Sequence, residues 1–210
     1  MKNKSKEKGE TTMKKMKVEI TLLEDILGTL PGDPEVYSNW IASKCPDPKK
    51  AEEEVELIAE QEFEKGITVF VRNKEGNPCI YDYLIKGFFK NACSAMRDAD
   101  GSLSKKLTAY KKKIDNLVFV TPRLIEFDYD GKISFCERPL RASTAQGERV
   151  AIACSESIAA GSKLVFEIEV LKDEMMNYVI EWLDYGKFNG IGQWHNSGKG
   201  RFTWRDITED

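Results

Sequence analysis

Gly186-Lys-Phe-Asn-Gly190-Ile-Gly192-Gln-Trp194-His195-Asn-Ser-Gly198-Lys199-Gly200-Arg201-Phe202 is the stretch on which the architecture of this chain depends. Apolar residues at helical spacing precede it over residues 175–183, and an alternating strand pattern follows it over residues 202–204. A glycine-rich backbone lets a ligand approach closely, its free N–H groups attract anions, and an aromatic ring can stack on a base. The order helix, glycine-rich loop, strand therefore predicts a phosphate contact, with a connecting loop that binds nothing as the alternative. The loop has neither a Walker nor a Rossmann spacing.

Composition limits the classes of function. The 210 residues are 41% hydrophobic and 32% charged, with a net charge of −3, so any nucleic-acid binding has to depend on local basic clusters. No apolar run approaches the ~18 residues of a membrane span, and no signal peptide is evident. Five separated cysteines and a single histidine predict reduced thiols, no metal site and no cofactor. The prediction is a cytoplasmic protein without a membrane contact.

The domain organisation follows from charge and periodicity. Residues 1–14 are lysine-rich and aperiodic, which predicts a disordered basic tail. Residues 15–210 are predicted to form a single domain, with an acidic helical insertion at about 47–65. The glutamate-rich face over residues 52–64 is typical of a solvated helix surface.

Patterns of alternation and helical spacing predict the elements. Helices are predicted over residues 82–96 and 175–185, and the segment 138–149 as a polar turn. Asp130-Gly131 predicts a hairpin between strands at 123–129 and 132–136. Further strands are predicted over 16–23, 67–71, 79–81, 117–120, 150–154 and 164–171. This mixture predicts an α+β fold, with an antiparallel sheet and helices on one face.

Basic clusters supply the candidate binding residues. Lys86 and Lys90 come near the start of the helix at 82–96, where the helix dipole favours an anion. Lysines interleaved with Tyr110 are typical of a groove for a nucleic-acid strand, and arginines can bind phosphate bidentately. The candidate nucleic-acid contacts are Lys86, Lys90, Lys111, Lys112, Arg138, Arg141, Arg149, Trp194, His195, Lys199 and Arg201, with loop glycines Gly190, Gly192, Gly198 and Gly200.

Several motifs, taken in order, resemble the RAMP superfamily, in particular the backbone subunits of CRISPR effector complexes. They are Gly76-Asn-Pro-Cys-Ile-Tyr-Asp-Tyr-Leu-Ile-Lys-Gly-Phe-Phe-Lys90, the run from Thr144-Ala-Gln-Gly147 through Ser155-Glu-Ser-Ile-Ala-Ala-Gly161 to Phe166-Glu-Ile168, the closing helix and the glycine-rich loop. Residues 81–83 depart from the family pattern. The chain also resembles uncharacterised prophage proteins, which suggests a stand-alone relative.

The resemblance implies a ferredoxin-like (RRM-like) core that binds single-stranded RNA or DNA and self-associates along the strand. It also implies that Lys86, Lys90 and the three arginines meet phosphates at the helix start, and that Lys199 and Arg201 meet them from the loop.

Two other functions stay open. An RNA endonuclease would use Asp33 to hold a metal ion or His195 as a general base. A phage-encoded interaction protein or inhibitor of a host nucleoprotein complex would use the acidic surface at 52–64 to bind its protein partner.

Overall fold

The computed structural model describes residues 13–32, 67–144 and 147–209. Residues 1–12 of the tail predicted over 1–14, the acidic helix at 47–65 and Asp33 lie outside the described residues. The predicted end of the tail is corrected, because Lys14 already belongs to the first strand and pairs with Val170. The helices are α1 (Asp82–Met96), α2 (Tyr110–Leu117) and α3 (Glu174–Tyr185). The strands are β1 (Lys14–Leu22), β2 (Ile26–Leu27), β3 (Leu30–Pro31), β4 (Ile67–Val69), β5 (Val71–Arg72), β6 (Pro78–Tyr81), β7 (Val118–Thr121), β8 (Leu124–Asp128), β9 (Ser134–Thr144), β10 (Gly147–Ile158), β11 (Lys163–Val170) and β12 (Phe202–Asp206).

A ferredoxin-like unit forms the centre of the fold. The chain passes through β1, α1, β7, β11, α3 and β12, and these four strands lie side by side in the order β12-β1-β11-β7, all antiparallel. Two β-α-β connections joined in this way define the ferredoxin-like arrangement. The predicted α+β fold is therefore confirmed. Strands β8, β6 and β5 extend the same sheet.

The core lies between this sheet and the helices. Strands β1 and β11 bury every second residue, because side chains alternate between the two faces of a strand. From α1 and α3 come Phe89 and Trp182, whose ring centroids are 5.6 Å apart. The other buried core residues of these four elements include Val18, Ile20, Phe166, Ile168, Ile85, Ala92, Met176 and Val179. Both helices thus pack on one face of the sheet. None of the described helices has the length and apolar character needed to cross a membrane.

A second sheet is built around a long β-hairpin. Strands β9 and β10 pair from Ser134↔Ser157 to Gly147↔Thr144, and β10 also pairs with β2 and, in parallel, with β4. The predicted hairpin at Asp130-Gly131 is wrong, because β8 pairs with β6 and β11 whereas β9 pairs with β10. The predicted polar turn at 138–149 is also wrong. This polar segment is extended because its residues pair across the two strands. Its sequence has no alternation of apolar residues that would indicate a strand.

A carboxylate joins the two sheets. Glu156 on β10 is buried, and its carboxylate accepts hydrogen bonds from the Phe70 N–H at 2.8 Å and from Arg72 Nη2 at 2.5 Å. Arg72 belongs to β5 of the first sheet. This contact therefore connects β10 to the sheet of the ferredoxin-like unit. Removing one partner of such an ion pair leaves the other charge uncompensated.

We expect Glu156→Gln to lower the free energy of unfolding by about 2 kcal/mol, because the partly buried Arg72 would lose its counter-charge. Urea unfolding monitored by circular dichroism measures this change. The matched control is Glu169→Gln, which breaks the solvent-facing Lys15–Glu169 pair and is expected to have little effect. Equal losses in both variants would contradict the role of Glu156.

A second carboxylate holds the segment before α2 against α3. Glu181 accepts hydrogen bonds from the Leu103 N–H at 2.6 Å, from the Ser104 N–H at 3.0 Å and from Ser104 Oγ, which also accepts from Trp182 Nε1. Partial burial raises the pKa of the Glu181 carboxyl, but these hydrogen bonds outweigh burial and hold the pKa below its usual 4.5. The charged form of Glu181 therefore stabilises the short 3-10 helix Leu103–Lys106.

The stability that Glu181 contributes is present above its unfolded-state pKa, and it is lost as the pH falls through the lower folded-state pKa. We expect Glu181→Gln to be less stable than the wild type at neutral pH, and the difference to shrink below pH 4.5. Unfolding in urea at several pH values tests this. Glu174→Gln, on the exposed first turn of α3, serves as the control. A difference that did not depend on pH would exclude the proposed role.

Candidate nucleic-acid interface

A groove of about 360 Å³ lies between α1 and the glycine-rich loop. On the α1 side, Tyr83, Gly87 and Asn91 are spaced four residues apart, which places them on one face of the helix. The other lining residues are Thr29, Leu84, Phe88, Gly190, Ile191, Gly192, Gln193 and His195. The groove thus joins the two stretches that the sequence singles out.

The glycine-rich loop is folded against itself. The Ile191 N–H donates to Gly200 O at 3.1 Å, and the Gly200 N–H donates to Asp25 O at 2.8 Å. A Cβ on Gly190 would lie 2.1 Å from Lys199 O, and a Cβ on Gly200, which has a φ of +68°, would lie 2.1 Å from Ile191 O. These two glycines are therefore required by close approach within the chain, and the Gly200 N–H is occupied by a hydrogen bond within the chain.

The two loop cations already have carboxylate partners. Lys199 Nζ lies 3.1 Å from Asp25 Oδ2, and Arg201 Nη2 lies 2.9 Å from Glu24 Oε1. Both carboxylates lie in the turn between β1 and β2. A phosphate would have to compete with them for these cations, so the predicted phosphate contacts of Lys199 and Arg201 need an exchange of ion pairs.

The lysines of α1 point away from the groove. Lys86 Nζ donates to Asp115 O at 3.1 Å and lies over the Phe119 ring, while Lys90 pairs with Asp115 Oδ1 at 2.6 Å. Burial lowers the pKa of the Lys86 amine, although the charge of Asp115 raises it. These lysines lie one residue before Gly87 and Asn91 and so face α2, not the groove. The predicted lysines and the groove thus lie on different faces of the same helix.

His195 is held in one tautomer. Its Nδ1 lies 2.9 Å from Gly192 O, which can only accept, so Nδ1 carries the proton. Its Nε2 lies 3.1 Å from Asn91 Nδ2, from which it accepts. Both ring nitrogens are occupied, and the histidine positions the Asn91 amide at the edge of the groove.

Arg138 and Trp194 meet beside the groove. Arg138 on β9 is only 7% exposed, and its Nη2 donates to the side-chain oxygen of Gln193, a residue of the groove wall. Its guanidinium carbon lies 5.0 Å from the centre of the Trp194 ring. Its Nη1 is buried and has no hydrogen-bond acceptor in the described parts of the chain. A buried cation without a counter-charge is unfavourable unless a ligand supplies the anion.

The backbone at Trp194 is strained. Trp194 has a φ of +59°, which is uncommon for a large side chain, and it is 40% exposed. Such conformations cost about 1–3 kcal/mol and are concentrated at binding sites. One face of the indole contacts Arg138, and the exposed fraction of the residue leaves part of the ring accessible.

The remaining predicted residues lie farther out. Lys111 and Lys112 are exposed on α2, a helix that the sequence reasoning missed because Ile114 is its one fully buried residue. Arg141 and Arg149 lie near the tip of the β9–β10 hairpin, and their side chains are outside the described residues. Sequence reasoning also missed Gln193, Asn91 and the groove itself. The available signal was Gly87, a glycine in the middle of a helix without a turn to explain it.

Comparison with solved structures finds likenesses in fold, whereas comparison with sequences finds none. No protein-family model matches the chain, and no curated protein matches it. The chain is similar to a chain in the cryo-EM structure of the Type III-B Cmr-beta bound to cognate target RNA, with a TM-score of 0.51 and 12% identity. This likeness concerns the fold alone. It covers 92% of this chain and 59% of that chain, so the present chain spans about three-fifths of the solved one.

We expect Gly200→Ala to lower the free energy of unfolding by more than about 1 kcal/mol, since the residue has a positive φ and its new Cβ would strike Ile191 O. Gly198→Ala is the matched control, because Gly198 also has a positive φ but only the Arg201 side chain lies near its Cβ, at 3.6 Å. The difference between the two variants in thermal unfolding measures the close approach. Equal destabilisation would mean that backbone conformation alone accounts for the loss.

Proposed function

We propose that this chain binds single-stranded RNA at the surface where Arg138 and Trp194 meet, with Arg138 on a phosphate and Trp194 stacked on a base. The observation that carries the proposal is the buried Arg138 guanidinium, whose Nη1 has no acceptor among the described residues. A phosphate oxygen is the kind of acceptor that a guanidinium binds best. An aromatic ring beside a cation is typical of sequence-tolerant strand binding.

Electrostatics support an anionic ligand. Among the described residues, Arg138 forms no ion pair with a carboxylate, in contrast to Lys199 and Arg201 in the adjacent loop. The stacked Trp194 ring and the Gln193 amide compensate only part of the cost of burying the charge. A bound phosphate would supply the missing negative charge.

The open face of the sheet offers a poorer platform. RRM domains stack bases on aromatic residues of their central strands. Here the open faces of β1 and β11 carry Lys15, Lys17, Glu19, Val165, Glu167 and Glu169, and none of these is aromatic. Glu19 bridges Lys163 and Arg205 on this face. The loop side of the domain is therefore the better candidate for base stacking.

We further propose that the chain is a RAMP-type protein that self-associates along the strand. Support comes from the ordered motifs, the ferredoxin-like topology and the likeness in fold to a chain from an RNA-bound Cmr-beta structure. The nuclease and interaction-protein alternatives stay predictions, since Asp33 and the acidic surface at 52–64 lie outside the described residues. The prophage origin and the cytoplasmic location also stay predictions.

We expect Arg138→Met to change stability and binding in opposite directions. Methionine keeps the apolar stem of the arginine side chain and removes a buried charge that has no carboxylate partner among the described residues, so the free protein should unfold at a higher urea concentration. The same variant should bind a single-stranded RNA oligonucleotide about tenfold more weakly and should show a shallower salt dependence, by about 0.7 in the log–log slope, because one phosphate contact is lost. Fluorescence anisotropy over a range of salt concentrations measures the binding.

The control is Arg205→Gln, which removes one positive charge from the open face of the sheet. It should leave the RNA affinity nearly unchanged. Equal weakening by both variants would mean that only net charge matters and would overturn the assigned site. Parallel titrations with single-stranded DNA of the same sequence distinguish the two polymers.

A further inference from the structure

No contact in the described parts of the chain requires glycine at position 87. It lies in the interior of α1, where glycine is less favourable than alanine. Its φ is not in the left-handed region, and a Cβ added there would meet no atom within 4 Å. Gly190 and Gly200 differ from Gly87, because close contacts within the chain require a glycine at both of these positions. The space above Gly87 opens into the groove between α1 and the loop.

The groove has an apolar interior and a polar rim. Leu84, Phe88 and Ile191 form its walls, and Phe88 and Ile191 are themselves almost fully buried. Its volume of about 360 Å³ is at the small end of the range for ligand pockets. Asn91, Gln193 and His195 provide the polar groups at the opening. Apolar walls with a few fixed polar groups suit a flat heterocycle better than a phosphate.

The Asn91 amide is oriented in advance. His195 Nε2 accepts a hydrogen bond from the Asn91 side-chain N–H, and His195 Nδ1 donates one to Gly192 O. The amide of Asn91 therefore has a fixed direction. Asn91 is exposed, and no other hydrogen-bond partner of its amide lies among the described residues. An amide oxygen next to an N–H can form two hydrogen bonds with the edge of a base.

We infer that the groove holds one unstacked nucleobase of the bound strand, in contact with the α1 backbone at Gly87 and with its edge on Asn91. The inference rests on the proposed RNA binding. Gln193 connects the two sites, because it lines the groove and its side chain accepts a hydrogen bond from Arg138. The positive charge that attracts the strand thus lies beside the mouth of an apolar groove. Single-stranded RNA is commonly recognised through bases that are splayed out of the stack in this way.

The test is to fill the groove and to ask whether the loss depends on the base. Gly87→Leu places a side chain in the space above α1, and leucine also favours the helix, so the variant should fold at least as well as the wild type. Ser94→Leu, which adds the same side chain at an exposed position of α1, is the matched control. Each protein is titrated at low salt with an RNA 12-mer and with a 12-mer of the same backbone in which every nucleotide is abasic.

We expect Gly87→Leu to weaken binding of the RNA 12-mer at least about tenfold, which is the scale of one base contact, and to leave binding of the abasic 12-mer unchanged. Ser94→Leu should change neither. An equal loss for both oligomers would mean that the groove contacts the sugar-phosphate backbone, and no loss for either would mean that it stays empty; both results overturn the inference. If the wild type bound neither oligomer, the proposed function itself would fail, and the inference with it.

Discussion

The close crossing of the backbone at Gly190 and Gly200 is the constraint on which the candidate site depends. The hydrogen bond from the Ile191 N–H to Gly200 O closes the loop, and that from the Gly200 N–H to Asp25 O attaches it to the turn after β1. Side chains larger than hydrogen cannot fit at either glycine without displacing backbone atoms. Once the loop is closed, Gln193 and Trp194 project toward β9, and His195 projects toward α1.

Two features of the site oppose the stability of the free protein. Arg138 buries a charge whose Nη1 has no acceptor among the described residues, and Gly87 weakens a helix where no described neighbour needs its small size. Local choices that conflict with the global fold are expected mainly at functional sites. Gly87 borders the glycine-rich loop directly, and Arg138 contacts it through Gln193, so the single strand that we propose would account for both. Lys199 and Arg201 differ from Arg138 in that each has a carboxylate partner, although Arg201 Nε is also buried without an acceptor among the described residues.

Local periodicity explains which predictions the structure confirms. The helix at 82–96 and the helix at 175–185 show apolar residues at helical spacing, and both were predicted to within one residue of their observed bounds. Strands β1 and β11 alternate strictly, because one face is buried and the other is solvated. Helix α2 escaped prediction, since a lysine-rich segment with a single buried residue has no periodic signal.

The residues alone determined the element types in the core and the α+β class, because burial of one face of each element leaves a repeating pattern in the sequence. Tertiary structure decided the strand partners: β9 pairs with β10 although Asp130-Gly131 favours a hairpin with β8, because pairing depends on contacts distant in sequence. It also decided which cations are available. Lys199, Arg201 and Lys90 look equivalent to Arg138 in the sequence, but folding brings carboxylates to the first three and an aromatic ring and an amide to Arg138. The electrostatic environment of a charge depends on which neighbours the fold supplies, and that information is not local.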